Sequence, residues 1–470
     1  MADGIMTNPA TTMLNDQTAH SRPWLIFHIA SLATFLVSID TTVLYVAFHS
    51  ISKSFPDASA TSISWVMNAY TLVYATCLIP AGGLADRFGR KKVFMYGVAA
   101  FIFASVLCGL SPNVHTLILA RMLQAVGASL LGPAALSLIL EAFPKQKRAI
   151  VVGAWGATGA LAAALGPAFG SWIVDSFGWE WAFYINVPLG LYCLIRGRKH
   201  LLESSNPVTK VRFDLVGMVL IIAAIALIVS SLIEYKLYIN QLMFPLALLT
   251  AGVLLLAVFI YWCKRALNPL LDISLFHSKT YQAVNTAAFF FSIAFATMFF
   301  SFFFLMTKIW GYSLPQAGLA MMAGPVTVVP TALLGGRVAA KYGHKIVLTI
   351  GCLIFSLSSI WYLFAITATP DYLWACLPGQ LISGVGVGLV MPSLSGAAVH
   401  DLPQKDYAIG SAINQAIRQV GTVFGVALTV AFLVKADLVL DDFHHLYEIQ
   451  FLLVIVSAGL VTKVDTSRNV

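Results

Sequence analysis

The sequence predicts an all-α polytopic membrane protein with fourteen spanning helices, and three observations carry that prediction. Of its 470 residues, 59% are hydrophobic and only 10% are charged, whereas a soluble domain carries roughly 25% charged residues. Fourteen apolar runs are long enough to cross a hydrocarbon core, which takes roughly 20 helical residues. The basic residues gather on one side of those runs. Open sheets cannot satisfy their backbone in lipid, and the runs are too long and too uniformly apolar for barrel strands, so the spans read as helices.

In chain order the spans read as 24–50, 63–83, 93–111, 115–142, 149–175, 181–200, 213–235, 241–263, 280–307, 315–338, 345–367, 372–398, 409–434 and a short 447–462. With the N-terminus in the cytoplasm, 22 of the 28 Lys and Arg residues fall inside, among them Arg87, Arg90, Lys91 and Lys92 after the second span. Only Lys53, Lys236, Lys308 and Lys435 fall outside, while Arg121 and Arg418 lie within spans. The bias fixes both termini inside and the span count as even. It also accounts for the net charge of +8 without a nucleic-acid partner. The first 22 residues are polar and hold no basic residue before Arg22, which is a cytoplasmic tail rather than a signal peptide. Cys77, Cys108, Cys193, Cys263, Cys352 and Cys376 all sit in or beside apolar runs with no CxxC pair, so neither disulfides nor a metal site is expected.

The chain repeats itself. Gly82-Gly83-Leu84-Ala85-Asp86-Arg87-Phe88-Gly89-Arg90-Lys91 joins spans two and three, and Gly336-Arg337-Val338-Ala339-Ala340-Lys341-Tyr342-Gly343-His344-Lys345 joins spans ten and eleven. That offset is longer than six spans require, and spans seven and eight supply the excess. The organisation is therefore a tail (1–22), a six-helix bundle (23–200), two inserted helices with a linker (201–265) and a second six-helix bundle (266–470), the parallel-repeat logic of many secondary transporters.

These residues carry a resemblance. The glycine-flanked Asp86-Arg87-Phe88-Gly89-Arg90-Lys91 resembles the cytoplasmic motif of the major facilitator superfamily. Gly153, Gly166-Pro167 and Gly170 in span five resemble its antiporter motif, with Ala162 and Ser171 at two glycine places. Trp179 to Gly190, Phe213-Asp214-Leu215-Val216-Gly217 and the stretch Asn414 to Gly425 are similar to signatures of the fourteen-helix drug:proton antiporter family. The resemblance covers nearly the whole chain and implies a major facilitator fold with two extra central helices. It further implies that Gly82, Asp86, Arg87, Gly89 and Arg90 gate the cytoplasmic side, and that span five serves antiport.

Asp40 is the only acid well inside a span. A charged, unpaired carboxylate there costs ~2.5–3.5 kcal/mol, which favours taking up a proton, so Asp40 is the candidate proton site. Arg121, in a stretch with Gln124 and Gly127 similar to the family's Arg-x-x-Gln-Gly motif, lies at a depth from which its side chain can reach Asp40, and the two are expected to pair. Tyr45, Trp65, Asn68, Tyr70, Gln124, Asn414, Gln415 and Arg418 are candidate lining residues of a substrate cavity; Tyr45 and His49 depart from the family pattern around the acid. The many phenylalanines of span nine, Phe289 to Phe304, suit lipid contact and, for some, a cavity wall.

The expected function is proton-coupled export of lipophilic, cationic drugs or toxic compounds by alternating access. The expected setting is a multi-pass, bacterial cytoplasmic membrane protein, monomeric, with the proton gradient as energy source and no cofactor. Two arginines against one deep acid keep open an alternative, export of an anionic metabolite or siderophore through Arg121 and Arg418. A non-transporting membrane sensor is a remoter one. No Ser/His/Asp cluster, metal spacing or phosphate loop suggests an enzyme.

Overall fold

A computed structural model describes residues 23–144, 147–205, 213–237, 242–402, 407–433 and 438–466. The tail expected at 1–22 lies outside the described residues. Fourteen long helical elements follow one another: α1 (Pro23–Ser54), α2 (Ala60–Phe88), α3 (Arg90–Gly109), α4 (Val114–Ala142), α5 (Arg148–Phe177), α6 (Asn186–His200), α7 (Leu215–Leu237) and α8 (Met243–Arg265). They continue as α9 (Lys279–Phe304), α10 (Leu314–Tyr342), α11 (His344–Ala365), α12 (Tyr372–His400), α13 (Tyr407–Leu433) and α14 (Leu440–Val461). α10 turns at Met321 and Met322, and α12 opens with a π-helical turn at Tyr372–Cys376.

Thirteen of these are long and apolar enough to cross a membrane among the described residues. The exception is α6. At 15 residues it spans ~22 Å, short of a ~30 Å core, and the separate turn Trp181–Tyr184 begins its traverse. The last helix, read from sequence as a short 447–462, runs instead from Leu440 for 22 residues. Its first two turns hold Asp441, Asp442, His444 and His445, polar residues that a hydropathy reading cuts away.

The packing is duplicated. α2 and α3 both lie against α4, α1 lies against α5, and α6 packs on α1 and α3; in the same way α10 and α11 lie against α12, α9 against α13, and α14 on α9 and α11. The two sets meet where α2 touches α13 and where α5 touches α10. α7 lies over the α2/α13 seam and α8 packs on α7.

One joint recurs in both halves. Gly89 separates α2 from α3 and Gly343 separates α10 from α11, each in the left-handed region at φ 109° and 83°, where a side chain is strained and glycine is not. Helix α3 starts with the backbone N–H groups of Lys91 and Lys92 donating to Glu203, each 3.1 Å away, just beyond the end of α6. Helix α11 starts with the N–H groups of His344 and Lys345 donating to the Thr466 hydroxyl at 2.8 and 3.4 Å, just beyond the end of α14. Unpaired N–H groups at a helix start need such acceptors.

Apolar contacts join the two halves at the outer end. Outside, Tyr45 and Phe48 of α1 stack edgewise or tilted on Phe299, Phe300 and Phe304 of α9 at ring separations of 5.1–5.9 Å. Gly318 of α10 lies so near α5 that a Cβ there would be 2.3 Å from the Pro167 carbonyl. Below, Gly156, two helical turns from Ala163 on the same face of α5, and Gly336 of α10 have nothing within 4 Å of a Cβ.

Candidate functional site

Asp40 lies midway along α1, on a helix that packs against both α4 and α6, and is 2% exposed. Three donors hold its carboxylate. Arg121 Nη1 of α4 lies 2.6 Å from Oδ2, Gln124 Nε2 of α4 donates to Oδ1 at 2.8 Å, and Asn186 Nδ2 of α6 donates to Oδ1 at 2.7 Å. Arg121 and Gln124 stand three residues apart and so share a helix face.

Arg121 is itself 1% exposed. Its Nε donates to the Val66 carbonyl of α2 at 3.2 Å, Nη1 also reaches Gln124 Oε1, and the Tyr70 ring stacks 3.9 Å from Cζ, with Phe183 at 5.6 Å on another side. Ser105 of α3 accepts a second bond from Gln124 Nε2 at 2.8 Å. A buried pair is expensive to form, and breaking one by removing a partner costs about 3–5 kcal/mol. Here the remaining lone pairs and protons are satisfied by amides, a carbonyl and an aromatic face, so the charges are held rather than isolated.

The expected residues divide between several places. Tyr70 and Gln124, read from sequence as cavity lining, belong to the Asp40–Arg121 cluster. Tyr45 is part of the outer aromatic closure, where its ring meets Phe299 and Phe300. Trp65 does not line a central cavity: its Nε1 donates to Ser230 Oγ of the inserted helix α7 at 3.3 Å. Asn68 is buried on α2, and its Nδ2 has no partner among the described residues. Asn414 is buried within the second half and donates to Asn285 Oδ1 of α9 at 3.0 Å.

Arg418, midway along α13, is held by Gln415 Oε1 and by Met391 Sδ at 3.7 Å, and its Nε has no partner among the described residues. No carboxylate pairs with it among the described residues. A central cavity of about 100 Å³ lies between the halves, lined by Ala163 of α5, by Phe295, Met298 and Phe299 of α9, and by Pro325 and Val328 of α10. Phe295 and Phe299 are thus the span-nine phenylalanines on this wall.

Span five explains its glycines by contact with α1. A Cβ at Gly166 would lie 1.9 Å from Thr42 Oγ1, and one at Gly170 would lie 2.7 Å from both Val43 methyls. The antiporter motif therefore presses α5 against the two residues two and three places after Asp40. Gly153 lies outside the residues whose surroundings are described.

At the cytoplasmic joint, Arg90 binds Asp86 Oδ1 through Nη2 at 2.8 Å and Nε at 3.0 Å, and also binds Glu141 at the end of α4. Arg87 points outward over Phe88, and Gly82 keeps α2 near Pro133 of α4. All three partners belong to one half, so this charge cluster ties α2, α3 and α4 together.

Sequence reasoning missed Asn186, Ser105, Glu141 and Glu203. Asn186 sits in the Trp179–Gly190 stretch singled out above, but nothing in its spacing reveals a bond to a residue 146 positions away.

A family model described as Major Facilitator Superfamily matches residues 30–426 and again 285–462. The chain belongs to the Major Facilitator Superfamily. It is 32% identical over 420 residues to an uncharacterised MFS-type transporter of Mycobacterium tuberculosis, covering 87% of this chain and 70% of that one. It is 30% identical over 442 residues to the methylenomycin A resistance protein of Streptomyces coelicolor (91% and 88% covered), and 31% identical over 405 residues to the multidrug transporter protein MdtP of Bacillus subtilis (84% and 73%). Among solved structures, a D-xylose–proton symporter superposes with a TM-score of 0.70 at 15% identity, covering 94% of this chain and 98% of that one. The inward-open xylose transporter XylE of E. coli gives 0.67 at 14% identity, with 95% and 97% covered. Those two likenesses show the fold. Family and helices together make the chain a multi-pass membrane transporter, and its relatives here are bacterial.

Proposed function

We propose that this major facilitator exports lipophilic small molecules from a bacterial cell in exchange for protons, with Asp40 as the proton site. The observation that carries the reading is the buried Asp40–Arg121 pair with its two amide donors. A proton reaching Asp40 from outside neutralises it and frees Arg121, which keeps the Val66 carbonyl, Gln124 Oε1 and the Tyr70 face as partners. Two arrangements of one cluster, differing by a proton, are what an exchange cycle needs. Its position on α1, beside the α5 contact at Thr42 and Val43, links that choice to a helix that meets the other half. The two six-helix sets are proposed to rock as units about the central cavity.

The names of the relatives support a drug-like substrate: one is a methylenomycin A resistance protein and another a multidrug transporter. Lipophilic cations fit the apolar and aromatic wall at Phe295 and Phe299. All of Asp40's described bonds are to protein donors, so a cation gains from this acid only in a state in which Arg121 has moved away. The deciding experiment is ethidium uptake by everted vesicles under an imposed proton gradient, wild type against Asp40→Asn. Gradient-driven uptake by the wild type alone supports the reading. Equal uptake by both variants overturns Asp40 as the proton site.

One observation favours a second reading, export of anionic compounds. Arg418 is a charged group at mid-membrane whose described partners are an amide oxygen and a thioether, and a carboxylate or phenolate would satisfy it better. Failure of ethidium uptake in correctly inserted wild type, with gradient-dependent movement of a fluorescent carboxylate that Arg418→Gln abolishes, would select it.

A further inference from the structure

A second cavity, of about 270 Å³, lies away from the Asp40 cluster, where the inserted helices cover the α2/α13 seam. Its wall draws on all three parts of the molecule: Ala75 on α2, Ile225 on α7, Phe259 on α8, Phe289 on α9, and Ala416 and Ile417 on α13. The one polar side chain in the lining, Thr76, spends its hydroxyl on the Leu72 and Val73 carbonyls of its own helix. Cavities without polar partners exclude water and take apolar guests; one of ~150 Å³ is enough for benzene. The volume here is nearly twice that, close to the lower end of ligand pockets at ~300 Å³.

The insert is built to hold this space. Gly252 of α8 meets the Ala224 carbonyl and Ile228 of α7 closely, so the pair is tight at that level, and Phe259 lies two turns further along α8. Polar bonds fasten the insert at its ends. Outside, Thr61 of α2 donates to Glu234 at 2.6 Å, beside the Trp65–Ser230 bond. Inside, Asp214 accepts from the Gly217 N–H, Trp262 Nε1 and the Leu270 N–H at 2.8, 3.0 and 3.0 Å. Against α13 the cavity offers only apolar residues. α8 beyond it faces the hydrocarbon with Val253 and Leu254 more than half exposed.

We propose that this cavity binds an unsubstituted hydrocarbon body, a ring system or a chain segment, taken from the bilayer, and that the guest touches both halves at once. The site does not depend on which compounds are exported. Two sources share that chemistry, a phospholipid acyl chain and a free lipophilic compound.

The test uses the full-length protein in phosphatidylethanolamine–phosphatidylglycerol vesicles and two photoreactive probes, free 3-trifluoromethyl-3-phenyldiazirine and a phospholipid carrying that group on its acyl chain. Adducts are mapped on peptides after illumination. The expected result is labelling of Ile225 and Ile413, which are 4% and 0% exposed, falling about tenfold when Ala416→Trp or Ala75→Phe fills the space. Labelling of Val253 and Leu254 should not change. Adducts from the phospholipid probe identify an acyl chain as the guest; adducts from the free probe alone identify a small lipophile. Labelling confined to Val253 and Leu254, or labelling of Ile225 that persists in both filled variants, overturns the proposal.

Discussion

Asn186 and Asp40 stand 2.7 Å apart across 146 residues of chain, and this bond brings α6 to the buried Asp40–Arg121 pair. The Asn186 side-chain oxygen Oδ1 has no partner among the described residues. Its amide can therefore donate to a charged Asp40, and after turning over it can accept from a protonated one. Removing it as Asn186→Ala takes away one of three donors, a loss of about 1–3 kcal/mol at a buried charged group. Gradient-driven turnover should fall about tenfold, while exchange of labelled substrate without a gradient persists. Loss of both in a correctly inserted protein would instead mean that Asn186 only supports folding.

Gly166 should tolerate no side chain. Gly166→Ala places a methyl against Thr42 Oγ1, and overpacking a tight contact costs about 1–3 kcal/mol. The melting temperature of the purified protein is expected to drop, with partial recovery in the double variant carrying Thr42→Ala. An unchanged melting temperature would show that α5 and α1 can separate at little cost.

The cytoplasmic charge cluster is expected to act on rate. Asp86→Asn weakens its pairing with Arg90 and leaves the central cavity untouched, so the maximal transport rate should fall severalfold while the half-saturating substrate concentration stays near that of the wild type. A change confined to apparent affinity would argue against a gating role. Partly exposed pairs of this kind are worth ~0–1 kcal/mol in stability, so the melting temperature should barely move.

Asp214 should matter for the insert rather than for transport chemistry. Asp214→Leu leaves three donors without an acceptor, each costing about 1–3 kcal/mol. Faster proteolysis in 201–213 and 238–242, compared with wild type and with Asp214→Asn, is the expected readout. The asparagine variant keeps one acceptor oxygen and should fall between the two.

What the sequence discloses follows from how far each signal reaches. Asp40 is legible because a lone acid deep in an apolar run must take up a proton or find a cation, and only Arg121 and Arg418 lie well away from the span ends to serve as that cation. The helix count is legible because hydropathy is a local property; the last helix reads short where Asp441 to His445 interrupt it. Trp65 and Asn414 are misplaced by sequence because a span's residues do not say which face meets which neighbour. Trp65 turns to α7, a helix whose position in the bundle no periodicity gives, and Asn414 turns inward to Asn285. Gly166 and Gly170 are legible as a packing face, but only the structure identifies the opposite surface as Thr42 and Val43.

The joint at Gly89 and Gly343 carries one more consequence. The same hinge is locked in one half by the carboxylate of Glu203 and in the other by the neutral hydroxyl of Thr466. A charged acceptor and an uncharged one respond differently to salt. Raising the ionic strength of the cytoplasm would therefore weaken the first half's joint more than the second's, so two copies of one architecture are given unequal sensitivity to the cell interior.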